Sequence, residues 1–224
     1  MAKMVFSKLE HARPNPGVLS SLRIIFSALV LVGNKTINMD KKMYLDFLHE
    51  YDVEMLNETP ANDKNHYYYP GATRGGGQDG LLVKISPYNG SPWLGTFARG
   101  RSSFYGIFSM PDPKKICVVS GGIGYIVSAK EASNWEQLKV SKTVDVRLIL
   151  AHNLIVFVDA DLTTIVAYDS TGLRWSTKQI GLDGLQITEI TEKHIKGKYW
   201  NMRSGSDDEF SVEIETGAIF YGIK

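Results

Sequence analysis

Two aspartates two residues apart, Asp159 and Asp161 in "VDADL", are the first residues in this chain whose types and spacing could do chemistry. On a strand, side chains at i and i+2 share a face, so both carboxylates would offer oxygens to one cation or one polar ligand. In a turn the same residues serve the backbone, because Asp accepts hydrogen bonds from nearby main-chain N–H groups. Calcium needs more oxygens than two carboxylates at this spacing supply, which makes the turn the expected reading. Asp169 and Asp183 lie beside turn glycines and read the same way. A carboxylate pair for glycoside hydrolysis depends on a separation in space that one sequence does not give. A small carbohydrate-active or lectin-like protein therefore stands as the alternative function.

Other residues could contact a ligand. Tyr67 and Tyr68, in "HYYYP", form an aromatic cluster of the kind that brings contact area at low entropy cost; core packing or a strand edge is the competing use. Arg99 and Arg101, in "FARGRSS", could meet an anionic partner or be a solvated pair. His11, His49, His66, His152 and His194 form no pair at metal-ligand spacing. Cys117 sits alone in the apolar run "KICVVS" and reads as a small buried hydrophobe. "SGGIGY" (Ser120–Tyr125) is followed by a strand, not the helix that a dinucleotide fingerprint needs. "TRGGGQDG" (Thr73–Gly80) lacks the Lys-Ser/Thr ending of a phosphate loop, and no Gly-x-Ser-x-Gly elbow occurs. No catalytic residue, metal ligand or cofactor is expected, and the chain leans away from being an enzyme.

The elements that would position these residues begin with a chain of 224 residues, 43% apolar and 22% charged, which is enough for one soluble globular domain with a real core. A formal net charge of +1 and no basic block give no footprint for nucleic acid. The apolar stretch Val18–Val32 is short for a bilayer span. Three readings stand for residues 1–38: an upstream extension before a start at Met39, a signal or anchoring segment, or a packed helix. The chain is expected in the cytoplasm, or exported if residues 1–33 act as a signal. Over residues 39–56 the apolar positions Met43, Phe47, Tyr51 and Met55 recur every fourth residue and predict an amphipathic helix. Residues 57–79 predict a long loop, mobile around Gly75–Gly80.

From Gly80 to Lys224 short β-branched and aromatic runs alternate with turn signals, which argues an all-β, mainly antiparallel domain over residues 80–224. Four aromatic residues, Trp93, Trp135, Trp175 and Phe220, each follow a pair of apolar or aromatic residues eight and ten positions earlier. Gly90, Gly172 and Gly217 stand three positions before three of these markers, where a tight turn calls for positive φ. The markers recur at roughly 40–45 residues, the period of a four-stranded propeller blade. Counting the strand-like runs before each marker gives three full blades and a partial one before Trp93. Residues 62–74 could supply edge strands to that partial blade; otherwise it stays open.

"IVAYDSTGLRWST" and, more weakly, "FSVEIETGAIF" resemble the repeat of quinoprotein-type β-propellers, in which a strand ends in Asp, a turn carries Gly and Trp follows. The resemblance implies a meander of four-stranded blades. It does not carry the quinone enzymes' activity, whose metal ligands and adjacent cysteines have no counterpart here. "LRWSTKQIGLDGLQITEI" with "PDPKKICVV" also looks similar to an uncharacterised group of small bacterial proteins, a likeness that implies no function. The expected function is a non-catalytic β-repeat scaffold or binding module. Its partner would be a protein, or a second copy meeting an open sheet edge. No nucleic acid is expected, and no membrane unless residues 18–32 act as a signal or anchor.

Overall fold

The computed structural model describes residues 26–32, 35–60, 65–70 and 80–222, and within them the chain is almost entirely β-strand. The strands in chain order are β1 (Phe26–Val32), β2 (Lys35–Tyr44), β3 (Tyr51–Leu56), β4 (His66–Tyr69), β5 (Gly80–Pro87), β6 (Trp93–Ala98), β7 (Tyr105–Ser109), β8 (Lys115–Ser120) and β9 (Ile123–Ser128). They continue as β10 (Trp135–Gln137), β11 (Thr143–Ile149), β12 (Leu154–Asp159), β13 (Thr164–Asp169), β14 (Gly172–Ser176), β15 (Asp183–Ile190), β16 (His194–Asn201), β17 (Ser206–Glu213) and β18 (Ile219–Tyr221). A 3-10 turn, Leu150–His152, joins β11 to β12. Among the described residues no helix is long and apolar enough to cross a membrane.

The strands form four sheets. Sheet I has the order β3-β5-β6-β4, sheet II β1-β2-β7-β8-β9-β10, sheet III β11-β12-β13-β14 and sheet IV β15-β16-β17-β18. Sheets III and IV are plain antiparallel meanders. Parallel pairing enters where β4 joins β6 and where β2 joins β7. The runs singled out in the sequence before Trp135, Trp175 and Phe220 are strands β7 and β8, β11 and β12, and β15 and β16. The partial set before Trp93 is made up to four strands by β3 on one side and β4 on the other.

Residue pattern decides where each sheet sits. β8 (KICVVS) and β12 (LIVFVD) are continuous apolar runs because sheets II and III are covered on both faces. β5 and β15 alternate because sheets I and IV are covered on one. Three cores result. Tyr51, Val83, Ile85 and Phe97 of sheet I meet Ile116, Val118 and Tyr125 of sheet II. Phe108, Cys117 and Ile126 of sheet II meet Phe157 and Tyr168 of sheet III. Val156, Ala167 and Trp175 of sheet III meet Ile195, Phe210 and Val212 of sheet IV. The sheets thus pack in the order I, II, III, IV. Among the described residues no buried cluster joins IV to I.

The all-β character is as expected, and the helix over residues 39–56 is not there. β2 and β3 occupy that stretch, broken at residues 45–50. Tyr51 and Met55 fit a period of two as well as a helical period, and Val53 fits only the period of two. Pairing with β5, from Tyr51↔Pro87 to Leu56↔Leu82, settles it by placing all three against the first core. Tyr51 is fully buried and its hydroxyl donates to the Lys115 carbonyl at 3.0 Å. The expected loop of residues 57–79 contains strand β4; the glycines at 75–77, part of the stretch expected to be mobile, lie outside the described residues. Of Val18–Val32, residues 18–25 lie outside the described residues, and Phe26–Val32 is strand β1, not helix.

Candidate functional site

The four aromatic markers do not occupy four equivalent places. Trp93 and Trp175 each reach into the next sheet, where the indole N–H donates to a backbone carbonyl: Ala129 at 2.7 Å and Ile214 at 2.8 Å. Trp135 turns back toward sheet I, with its ring edge against Tyr69 at 5.4 Å between centroids. Trp93, Trp135 and Trp175 stand opposite Ile85, Val127 and Ala167, the residues eight positions earlier. Phe220 instead stands opposite Ser211, nine positions earlier. A one-residue slip in register moves a side chain to the other face of its sheet. Ile219 takes the core position, and Phe220 comes out on the open face of sheet IV, 52% exposed. Gly172 and Gly217 have the positive φ expected of them, and Gly90 does not.

That open face is the candidate site. It holds a groove of about 530 Å³ lined by β15 through β18, within the range of volumes common for ligand sites. Alternation sends Ile195, Phe210 and Val212 inward and leaves Lys196, Lys198, Glu209, Ser211 and Glu213 outward. Lys196 Nζ lies 2.9 Å from Glu189 Oε2, and Lys198 Nζ 2.7 Å from Asp207 Oδ2. Glu213 accepts a hydrogen bond from the Thr216 hydroxyl. The Glu209 carboxylate has no hydrogen bond or ion pair among the described residues, although Lys198 faces it in the register. The Phe220 ring sits beside His194, edge to face at 6.0 Å. Two lysines against the four carboxylates Glu189, Asp207, Glu209 and Glu213 leave this face with an excess of negative charge. The nearby Tyr221 phenol is raised by burial and by Tyr199, and it donates to the Ile180 carbonyl at 3.3 Å.

The residues singled out from sequence as ligand contacts do not line this groove and are not brought together into one site. Asp159 is fully buried at the end of β12. Its Oδ2 accepts from Ser141 N at 2.7 Å, and its Oδ1 from the N–H groups of Lys142, Asp161 and Leu162 at 3.3, 3.0 and 3.3 Å. Asp161 is exposed, 3.7 Å from Lys142 Nζ. Asp183 accepts from Gly184 N at 2.7 Å. Tyr67 meets the Trp93 ring edge-on, and Tyr68 stacks on His66 at 4.3 Å, with His66 Nε2 2.8 Å from Thr96 Oγ1. Arg99 lies over the Tyr105 ring at 6.0 Å, and Arg101 is exposed in the connection between β6 and β7. Cys117 is wholly buried, and burial pushes its thiol far up. The signal that could have revealed the groove is the alternation in "HIKGKYW" and "SDDEFSVE", where all the charged residues except Asp208 fall on one parity and the core residues on the other.

No protein-family model matches this chain, and no curated protein matches it at a significant level. Among solved structures it is similar to AztD of Citrobacter koseri, at 11% identity and a TM-score of 0.40, over 64% of this chain and 41% of that one. It is also similar to the WD40 β-propeller domain of Doa1, at 14% identity and a TM-score of 0.37, over 62% and 46%. A third is a putative 6-phosphogluconolactonase from Bacteroides uniformis, at 12% and 0.37, over 64% and 47%. This chain spans less than half the length of each of the three. Likenesses at this level say nothing of what the chain binds, and its own surface has to supply that.

Proposed function

We propose that this chain is a non-catalytic binding module, a run of propeller-type sheets whose last member presents its outer face to a ligand. One observation carries the reading: the face of sheet IV that no described sheet covers holds a groove of about 530 Å³ with the exposed Phe220 ring in it. An aromatic ring turned out of a core by a register slip, in a concavity lined with polar side chains, is what a recognition surface needs: apolar area plus a few oriented polar groups. The sheets beneath supply rigidity, since Phe210 and Val212 hold β17 in the core while Glu209 and Ser211 face out.

The test is resonance mapping on isotope-labelled protein with a panel of oligosaccharides and of basic, neutral and acidic peptides. Perturbed amides should fall on β15–β18, and Phe220→Ala should weaken binding there. Ligands that map consistently to another sheet would overturn the reading, as would a panel in which nothing binds.

A further inference from the structure

The groove on sheet IV has a charge bias as well as a shape, and this deepens the reading of that face as the binding site. We infer that it takes an extended basic segment of a partner protein, with a lysine or arginine side chain over Phe220 and its charge against Glu209. Lys196 and Lys198 are each held by a carboxylate, Glu189 and Asp207. Glu209 is left with no ion pair among the described residues, on a face where carboxylates outnumber lysines four to two. Phe220 stands opposite Ser211, so Glu209 is its diagonal neighbour on the same face, at a spacing of about 7–8 Å. An aromatic ring beside an unpaired carboxylate suits a cation carried on an apolar stem. The ring attracts the charge and covers the stem, and the carboxylate accepts the hydrogen bonds.

Shape and charge narrow the source of that cation. The groove reaches across all four strands, roughly 14 Å at the usual inter-strand spacing. A bare ammonium would fill little of it, whereas a side chain with its flanking backbone would fill it well. A second copy stacked end to end would bring up the outer face of sheet I, where, among the described residues of β3 and β5, Asp52 and Glu54 outnumber Lys84. Two faces of the same sign repel, so self-stacking is the poorer occupant.

The experiment titrates the whole chain with an arginine–serine repeat peptide, its glutamate–serine counterpart, and tetramethylammonium as the bare cation, following amide resonances and affinity. The basic peptide should perturb β15–β18 and bind more weakly as salt rises. Glu209→Gln and Phe220→Leu should each weaken it about two- to fivefold. Both side chains are exposed, so unchanged unfolding midpoints would show that the variants fold. If tetramethylammonium binds as tightly as the peptide, the partner is not a protein segment and the inference falls. If the acidic peptide binds that face as well as the basic one, or Glu209→Gln changes nothing, the cation is wrong while the binding face survives. If no probe perturbs sheet IV, both readings fail together.

Discussion

The Asp159 carboxylate is cut off from water, and four backbone N–H groups from two segments point at it. It ties the residues before β11 to the turn between β12 and β13, which fixes where sheet III begins. A buried charge is tolerable only when it is fully bonded, and removing it strands every donor that faced it. Asp159→Ala should therefore lose about 2–3 kcal/mol in urea unfolding; a loss no larger than that of an exposed substitution such as Asp183→Ala would contradict this role. Asp169 gives a different test. Burial works against its ionisation. The Thr171 hydroxyl and N–H, the Arg174 guanidinium and the Gly172 N–H outweigh that and hold its carboxyl below the usual range. The folded chain thus binds this proton less readily than the unfolded chain. The stabilisation is fully present above the ordinary carboxylate value of about 4 and is lost as pH falls through the lower folded value. Asp169→Asn should remove that part of the acid-side decline. Equal slopes for the two proteins below pH about 4 would show that the bonds to Asp169 add nothing.

At the scale of the element, the hairpin β17–β18 shows what can be read from sequence and what cannot. "EIETGAIF" announces a strand, a glycine turn and an aromatic return, and all three are present. The side-chain period of two is also legible, in Lys196 and Lys198 against Ile195 and in Glu209 against Phe210. Register is not legible there. Both Ile219 and Phe220 could fill the core, and the choice depends on packing against the buried cluster between sheets III and IV, which Ile219 joins. The same limit explains residues 51–56, where Tyr51 and Met55 satisfy two periods and only the partner β5 chooses between them. The dispersed Tyr67, Arg99 and Asp159 were readable as residue types that bind ligands. Their separation on different elements was not, because it follows from sheet order. Gly217 offers the sharpest test of the hairpin. It has φ +73, and a Cβ there would lie 2.9 Å from the Trp175 ring. Gly205, in the β16–β17 turn, has nearly the same φ, +65, with open space around it. Gly205→Ala should cost about 1 kcal/mol for its backbone conformation alone. Gly217→Ala should cost about 1–3 kcal/mol more, because the indole must move. Equal losses for the two would mean that the turn does not depend on Trp175.

Across the whole molecule, the three cores make each sheet depend on its neighbours. Sheets II and III are held from both sides, sheets I and IV from one. Stability in such a stack should follow a sum of sheet and interface contributions, so damage at one interface is felt first by the end sheet beyond it. Phe210 is the place to apply that damage. It is buried between sheets III and IV, and its ring occupies the space that the bare Gly197 leaves on β16, where a Cβ would meet it at 2.4 Å. Phe210→Ala should cost about 3–5 kcal/mol at that interface. In native-state hydrogen exchange the loss of protection should concentrate in β15–β18, while β8 and β12, each buried on both faces, keep theirs. Phe157→Ala, between sheets II and III, should lower protection on both sides of its own interface. An equal drop across all four sheets in the Phe210→Ala protein would mean that the stack unfolds as one cooperative body. Sheet IV would then be no semi-independent platform, and its open face would bind only when every other sheet is intact.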